Sequence, residues 1–164
     1  MTLYIVRHGV AVAKNRWRGR DLARPLTKKG LAQAEALTAS IDQPVGVVLS
    51  SPTIRCVATV LGVADRHGVA LCTVAALEVG RPDEALALAR ELLEQDGAGQ
   101  GSTGQMICTH GEVIPGLLAG LGLVSRSHSL DTCAKGSVWT IAPEGNGFAG
   151  TYRTLGAPRA QPAV

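Results

Sequence analysis

Aromatic side chains are scarce in this chain of 164 residues: Phe, Trp and Tyr make up 3% of it. Hydrophobic residues still reach 46%, so a core must be assembled from Leu, Val, Ile and Ala. No apolar run is long enough to span a membrane. Residues 1–13 carry Arg7 in their middle and lack a signal peptide's charged start and cleavage site. The four cysteines, Cys56, Cys72, Cys108 and Cys133, are far apart and form no C-x-x-C pair. They read as small, reduced core residues, and a cytoplasmic location is expected. The histidines lack tight ligand spacing such as H-x-x-x-H, so no metal site and no cofactor are expected. Net charge is only +3, which is low for a protein that binds a nucleic-acid polymer.

That small charge is unevenly spread. Residues 14–29, KNRWRGRDLARPLTKK, hold seven of the 16 Lys and Arg and one of the 13 acids, so this segment carries +6 and the rest −3. A local cationic patch suits an anionic ligand, although a solvated loop would have the same composition. The length fits one domain, expected over 1–155, with 156–164 as a disordered tail.

Strand and helix signals alternate. LYIV (3–6), VGVVLS (45–50), VALCTV (69–74), MICT (106–109) and SVWTIA (137–142) read as strands, with GFAGTYRTL as an edge strand. LTKKGLAQAEALTASI reads as a helix with Leu31, Ala34, Leu37 and Ile41 near one face. A second helix follows Ser51 as N-cap, has Pro52 at its first position and ends at Gly68. A third begins at Pro82, with Asp83 and Glu84 in its first turn and Gly97 beyond its end. GEVIPGLLAGLG is a fourth, tolerating Pro115 only in its first turn. GAGQGSTGQ (97–105) reads as a surface loop. Alternation of this kind predicts an α/β three-layer sandwich, a mostly parallel sheet with helices on both faces.

Ligands of such sheets lie beyond the carboxyl ends of the strands. The first strand runs into Arg7-His8-Gly9. The second is followed by SSPTIR, which puts Arg55 about one turn into the next helix, where side chains lean back toward the N-terminus. The fourth strand ends in CTHGE, which puts His110 at the same edge. Two arginines and two histidines should therefore share one crevice. Arginine forks match phosphate oxygens in pairs, and helix N-termini add N–H donors. A neutral histidine nitrogen is a competent nucleophile toward phosphorus, and nearby arginines disfavour its protonation. Gly9 leaves room for the backbone to approach the ring. His67 and His128 lack such context and read as surface residues.

VRHG after the first strand, RPLTKKGLAQAEAL, SSPTIRCVATV and CTHGEV together resemble the histidine phosphatase superfamily, the phosphoglycerate mutase-like or RHG phosphatases. The likeness covers roughly residues 2–142 in the right order. It implies the phosphoglycerate mutase-like fold, with His8 as the phosphorylated nucleophile and Arg7, Arg55 and His110 as the phosphate pocket. The short chain and the RPLTxxG element look most like the small SixA-type phosphohistidine phosphatases. The cationic stretch also looks like the phosphatase domain joined to nudix domains in actinobacterial nucleotide-pool hydrolases.

A leaving group that is a strong base needs a proton donor. Glu78, after the third strand, stands where the family often places its acid, and Glu112 is a second candidate. Gly9, Arg16, Trp17, Arg18, Arg24 and Gly111 are candidate substrate contacts. Trp17 would stack on a substrate ring among cations, or would pack against its own loop. These residues lead to a metal-independent phosphohydrolase, with the arginines supplying the positive charge. Its expected partner is protein phosphohistidine or a small phosphorylated metabolite such as a nucleoside di- or triphosphate. A non-catalytic phospho-ligand module is the rival class. A mutase is disfavoured because the chain has little spare length for a lid. Oligomeric state is left open.

Overall fold

A computed structural model describes residues 1–94, 103–123 and 133–156. The strands are β1 (Leu3–Arg7), β2 (Val45–Ser50), β3 (Leu71–Thr73), β4 (Gly104–Thr109), β5 (Ser137–Glu144) and β6 (Gly147–Thr154). The helices are α1 (Lys28–Ser40), α2 (Ile54–His67), α3 (Pro82–Glu94) and α4 (Ile114–Gly120), with short 3-10 turns at Lys14–Arg16, Asp21–Ala23 and Ala75–Leu77.

One six-stranded sheet has the order β3-β2-β4-β1-β5-β6. The β3-β2-β4-β1 portion is parallel, whereas β5 runs antiparallel to both β1 and β6. Successive side chains of a strand face opposite ways, so β1 feeds two cores. Leu3 and Ile5 join Ile107, Leu117 and the apolar side of α3 and α4. Tyr4 and Val6 join Met106, Cys108 and the apolar side of α1 and α2. A sheet with both faces covered by helices is the three-layer α/β sandwich expected, and β4 at its centre is buried along its whole length. No helix among the described residues is long and apolar enough to cross a membrane.

Three local expectations are corrected. Leu31 is not on the buried face of α1; it is 50% exposed, and the buried positions are Gly30, Gln33 and Leu37. The rotation follows from Gly30, where an added Cβ would lie 2.2 Å from the Val10 carbonyl oxygen, so the loop after β1 presses directly on the helix backbone. The second helix is capped by Thr53, not Ser51, and Pro52 lies outside it. β3 is also shorter than 69–74. The expected loop at 97–105 mostly lies outside the described residues, since β4 already begins at Gly104, and so do Gly97, His128 and 157–164.

Candidate active site

The loop after β1 is fixed on every side before any ligand is considered. The His8 amide donates to the Thr109 carbonyl, and the His8 carbonyl accepts from Gly136, whose φ of 67° is the left-handed value that favours glycine. The Gly9 amide donates to Thr59 Oγ1 at 3.0 Å, and Thr59 donates in turn to the Arg55 carbonyl at 2.6 Å. Buried Gln33 accepts from the Val10 amide and donates to the Lys135 carbonyl, tying this loop to the approach of β5. Gly9 owes its identity to α1: a Cβ there would stand 2.9 Å from the Gly30 oxygen. The space at Gly9 is thus filled by protein.

His8 is buried, and its Nδ1 lies 2.8 Å from the Gly9 carbonyl. A carbonyl can only accept, so this contact places the proton on Nδ1 and leaves Nε2 with its lone pair. Burial pushes the His8 pKa down from 6.5 to about 4, with His110 and Arg55 adding smaller downward effects and Cys56 and the Gly9 contact opposing them. Burial, more than the arginines, keeps the ring neutral. This has a kinetic consequence. Protonation destroys the nucleophile, so kcat/KM should fall as pH drops through about 4, not through 6.5. A pH–rate profile corrected for the substrate phosphoryl group, which titrates near pH ~6, checks this. An acid limb at the ordinary histidine value would contradict it.

His110 packs edge-on to His8, with ring centroids 5.4 Å apart and planes at 68°. Its Nε2 lies 2.9 Å from the hydroxyl of fully buried Ser51 and 3.7 Å from Cys56 Sγ. Ser51, expected as a helix cap, holds the second histidine instead. No local signal distinguishes these roles, because His110 is 59 residues away.

The two arginines are held in the same manner. Arg7 Nη1 donates to the Cys133 carbonyl, and a Cβ on Gly111 would come within 2.6 Å of the Arg7 Cζ. Gly111 thus makes room for the guanidinium. Arg55, 5% exposed, donates from Nη1 to the Asp21 carbonyl at 2.9 Å and pairs Nη2 with Asp21 Oδ2 at 3.0 Å. In both arginines Nε is buried with no hydrogen-bond partner among the described residues, as is Thr53 Oγ1. A buried donor without an acceptor costs about 1–3 kcal/mol.

Arg55, Thr53 and His110 open on a cavity of about 310 Å³, with half-buried Glu78 and exposed Asp21 on its walls and exposed Leu22 and Val79 beside them. Glu78 is fixed there because Thr109 Oγ1 donates to the Leu77 carbonyl at 2.7 Å. Arg7 and His8 are not part of this wall; His8 adjoins it through His110. Glu112 is exposed and also absent from the wall. Of the other candidates, Arg24 is committed to Asp21 Oδ1 at 2.9 Å and to the Val12 carbonyl at 2.8 Å. Trp17 is half-buried on its own loop, donating to the Arg20 carbonyl at 2.9 Å and covering Gly19. Arg16 and Arg18 are exposed, and His67 is half-buried at the end of α2.

Comparison with known proteins agrees with this geometry. The family model of the histidine phosphatase superfamily (branch 1) matches residues 3–78, from β1 through Glu78. An 8-oxo-(d)GTP phosphatase of Mycolicibacterium smegmatis is 36% identical over 123 residues, covering 71% of this chain and 36% of that protein. The chain therefore spans about a third of the length of this curated relative. Among solved structures, the protein histidine phosphatase SixA complexed with tungstate superposes with a TM-score of 0.69 at 21% identity, covering 96% of this chain and 97% of that one. A mycobacterial glucosyl-3-phosphoglycerate phosphatase in complex with VO3 gives 0.67 at 16% identity, over 95% and 98% of the two chains. At such identities these likenesses concern the fold. Sequence motifs, sheet order and the family match converge: the chain belongs to the histidine phosphatase superfamily.

Proposed function

We propose that the protein is a phosphohydrolase that works in two steps through a phosphorylated His8. The observation that carries this reading is the pairing of a neutral, oriented His8 with buried Arg55 and half-buried Arg7, whose Nε groups lack an acceptor among the described residues. In the first step His8 Nε2 attacks the phosphorus, a P–N bond forms, and the bond to the leaving group breaks. Arg7 and Arg55 stabilise the charge spread over the phosphoryl oxygens, a role that in other enzymes falls partly to metal ions. Glu78, on the cavity wall, is placed to give the leaving oxygen its proton. In the second step water attacks the phosphohistidine, releasing inorganic phosphate and restoring His8.

The leaving-group pocket is small, which suits substrates whose bulk continues outside it. Protein phosphohistidine and phosphorylated metabolites both meet this condition. The 36% identity with an 8-oxo-(d)GTP phosphatase favours a nucleoside di- or triphosphate between them. A phosphate-release screen with His8→Ala as the blank tests the reading. It should compare phosphohistidine protein, nucleoside di- and triphosphates and sugar phosphates. Release from nucleotides well above the blank is expected; no release from any class would contradict the proposal.

A further inference from the structure

The single acid of the cationic segment is the residue that grips the buried arginine. Asp21 uses its backbone carbonyl and Oδ2 on Arg55, and Oδ1 on Arg24. Arg24 is anchored in turn on the Val12 carbonyl, beside the pairings Val12 to Pro25, Thr27 to Val10 and Ala11 to Leu26 that close the base of this loop. A continuous chain of charged contacts therefore runs from the loop base through Arg24 and Asp21 to Arg55. It occupies both terminal nitrogens of the fork and leaves Nε facing no acceptor.

We propose that Asp21 is a positioning residue for phosphoryl capture: it holds Arg55 in one orientation on the cavity wall, so that the N–H groups Asp21 does not use are left for the oxyanion. This inference rests on the phosphate-binding role given to Arg55 above. An unheld guanidinium on a long side chain has many rotamers, and fixing one of them before the ligand arrives lowers the cost of binding. Asp21 itself is not a proton donor. Burial works to raise its pKa, but Arg24 and Arg55 outweigh burial and hold the carboxyl below its ordinary value. It is therefore ionised wherever the enzyme works. The opposite role, a built-in anion that substrate must displace from Arg55, predicts opposite signs for the same measurement.

The test is calorimetric binding of inorganic phosphate and orthovanadate to the wild type, Asp21→Ala, Asp21→Asn, Arg55→Ala and the double variant Arg55→Ala/Asp21→Ala. Asp21→Ala should weaken both anions by about tenfold, within the usual coupling range for groups in one network. Asp21→Asn, which keeps an acceptor oxygen, should fall between it and the wild type. The double variant should bind no more weakly than Arg55→Ala alone, a non-additivity that a merely structural loop residue would not show. Tighter binding by Asp21→Ala, unchanged binding, or additive losses in the double variant would overturn the proposal. So would a wild-type protein that binds neither anion. Binding needs no turnover. A wild type that binds phosphate but releases none from any substrate would count against the hydrolase reading and leave the Asp21 test intact.

Discussion

His8→Ala is expected to reduce phosphate release by ~10⁴-fold or more, the scale seen when a nucleophile is deleted from a cooperating site. Other site groups still bind and polarise the phosphoryl group, but none in reach offers an equivalent lone pair. His110 Nε2 is engaged by Ser51 and Cys56. Substrate affinity should change far less than kcat, since the oxyanion is gripped by Arg7 and Arg55. Steady-state kinetics of the purified variant, with circular dichroism to show that it folds, measure this. Loss of a buried neutral ring leaves a small cavity and no orphaned charge, so gross misfolding is not expected. A variant retaining a tenth of wild-type kcat would be incompatible with covalent catalysis at this position.

Arg55→Ala carries the second large effect. The fork supplies a buried Nε donor and a full positive charge at a site that excludes most water. Removing one such donor typically costs about 10²–10³ in kcat. Arg55→Lys keeps the charge but cannot hold Asp21 with two nitrogens at once, so it should recover only part of that loss. The comparison separates charge from geometry. Equal activity of Arg55→Lys and wild type would mean that a point charge suffices and that the held fork is incidental. Equal activity of Arg55→Ala and wild type would remove Arg55 from the phosphate pocket altogether.

Much of this site can be read before folding. Arg7, His8, Arg55 and His110 each follow a strand signal, and the carboxyl-end rule for parallel sheets is enough to bring them to one edge. The sheet itself follows from apolar runs alternating with amphipathic helices. The edge strand read at GFAGTYRTL is β6, at the end of the sheet; its antiparallel pairing with β5, across a turn with Gly145 at φ 56°, comes from the structure. The supports of the site are harder to see. Ser51, Gln33, Thr59 and Asp21 are polar residues whose surroundings look like ordinary caps, helix faces or charged loop. Their partners lie tens of positions away, and sequence spacing carries no information about such contacts. Gln33 is the clearest case: on a helical wheel it sits among Gly30 and Leu37, yet its buried amide ties Val10 to Lys135, which lies 102 residues beyond it.

Glycine misleads in the opposite direction. Gly9 and Gly111 flank the two site histidines, which invites a ligand to fill the space they leave. In the structure Gly30 fills one and the Arg7 guanidinium fills the other. The cationic segment is only partly free. Arg24 is consumed internally and Trp17 folds over Gly19, whereas Arg16 and Arg18 are exposed. The informative residue of that segment is its lone acid.

The most direct measurement of the account is to trap the phosphoryl enzyme. Protein mixed with a turned-over substrate, quenched in alkali and mapped by mass spectrometry should carry one phosphoryl group on His8. The label should survive base, disappear in acid and be absent from His8→Ala. Steady release of phosphate with no group ever found on His8, or with the label on a different side chain, would contradict it.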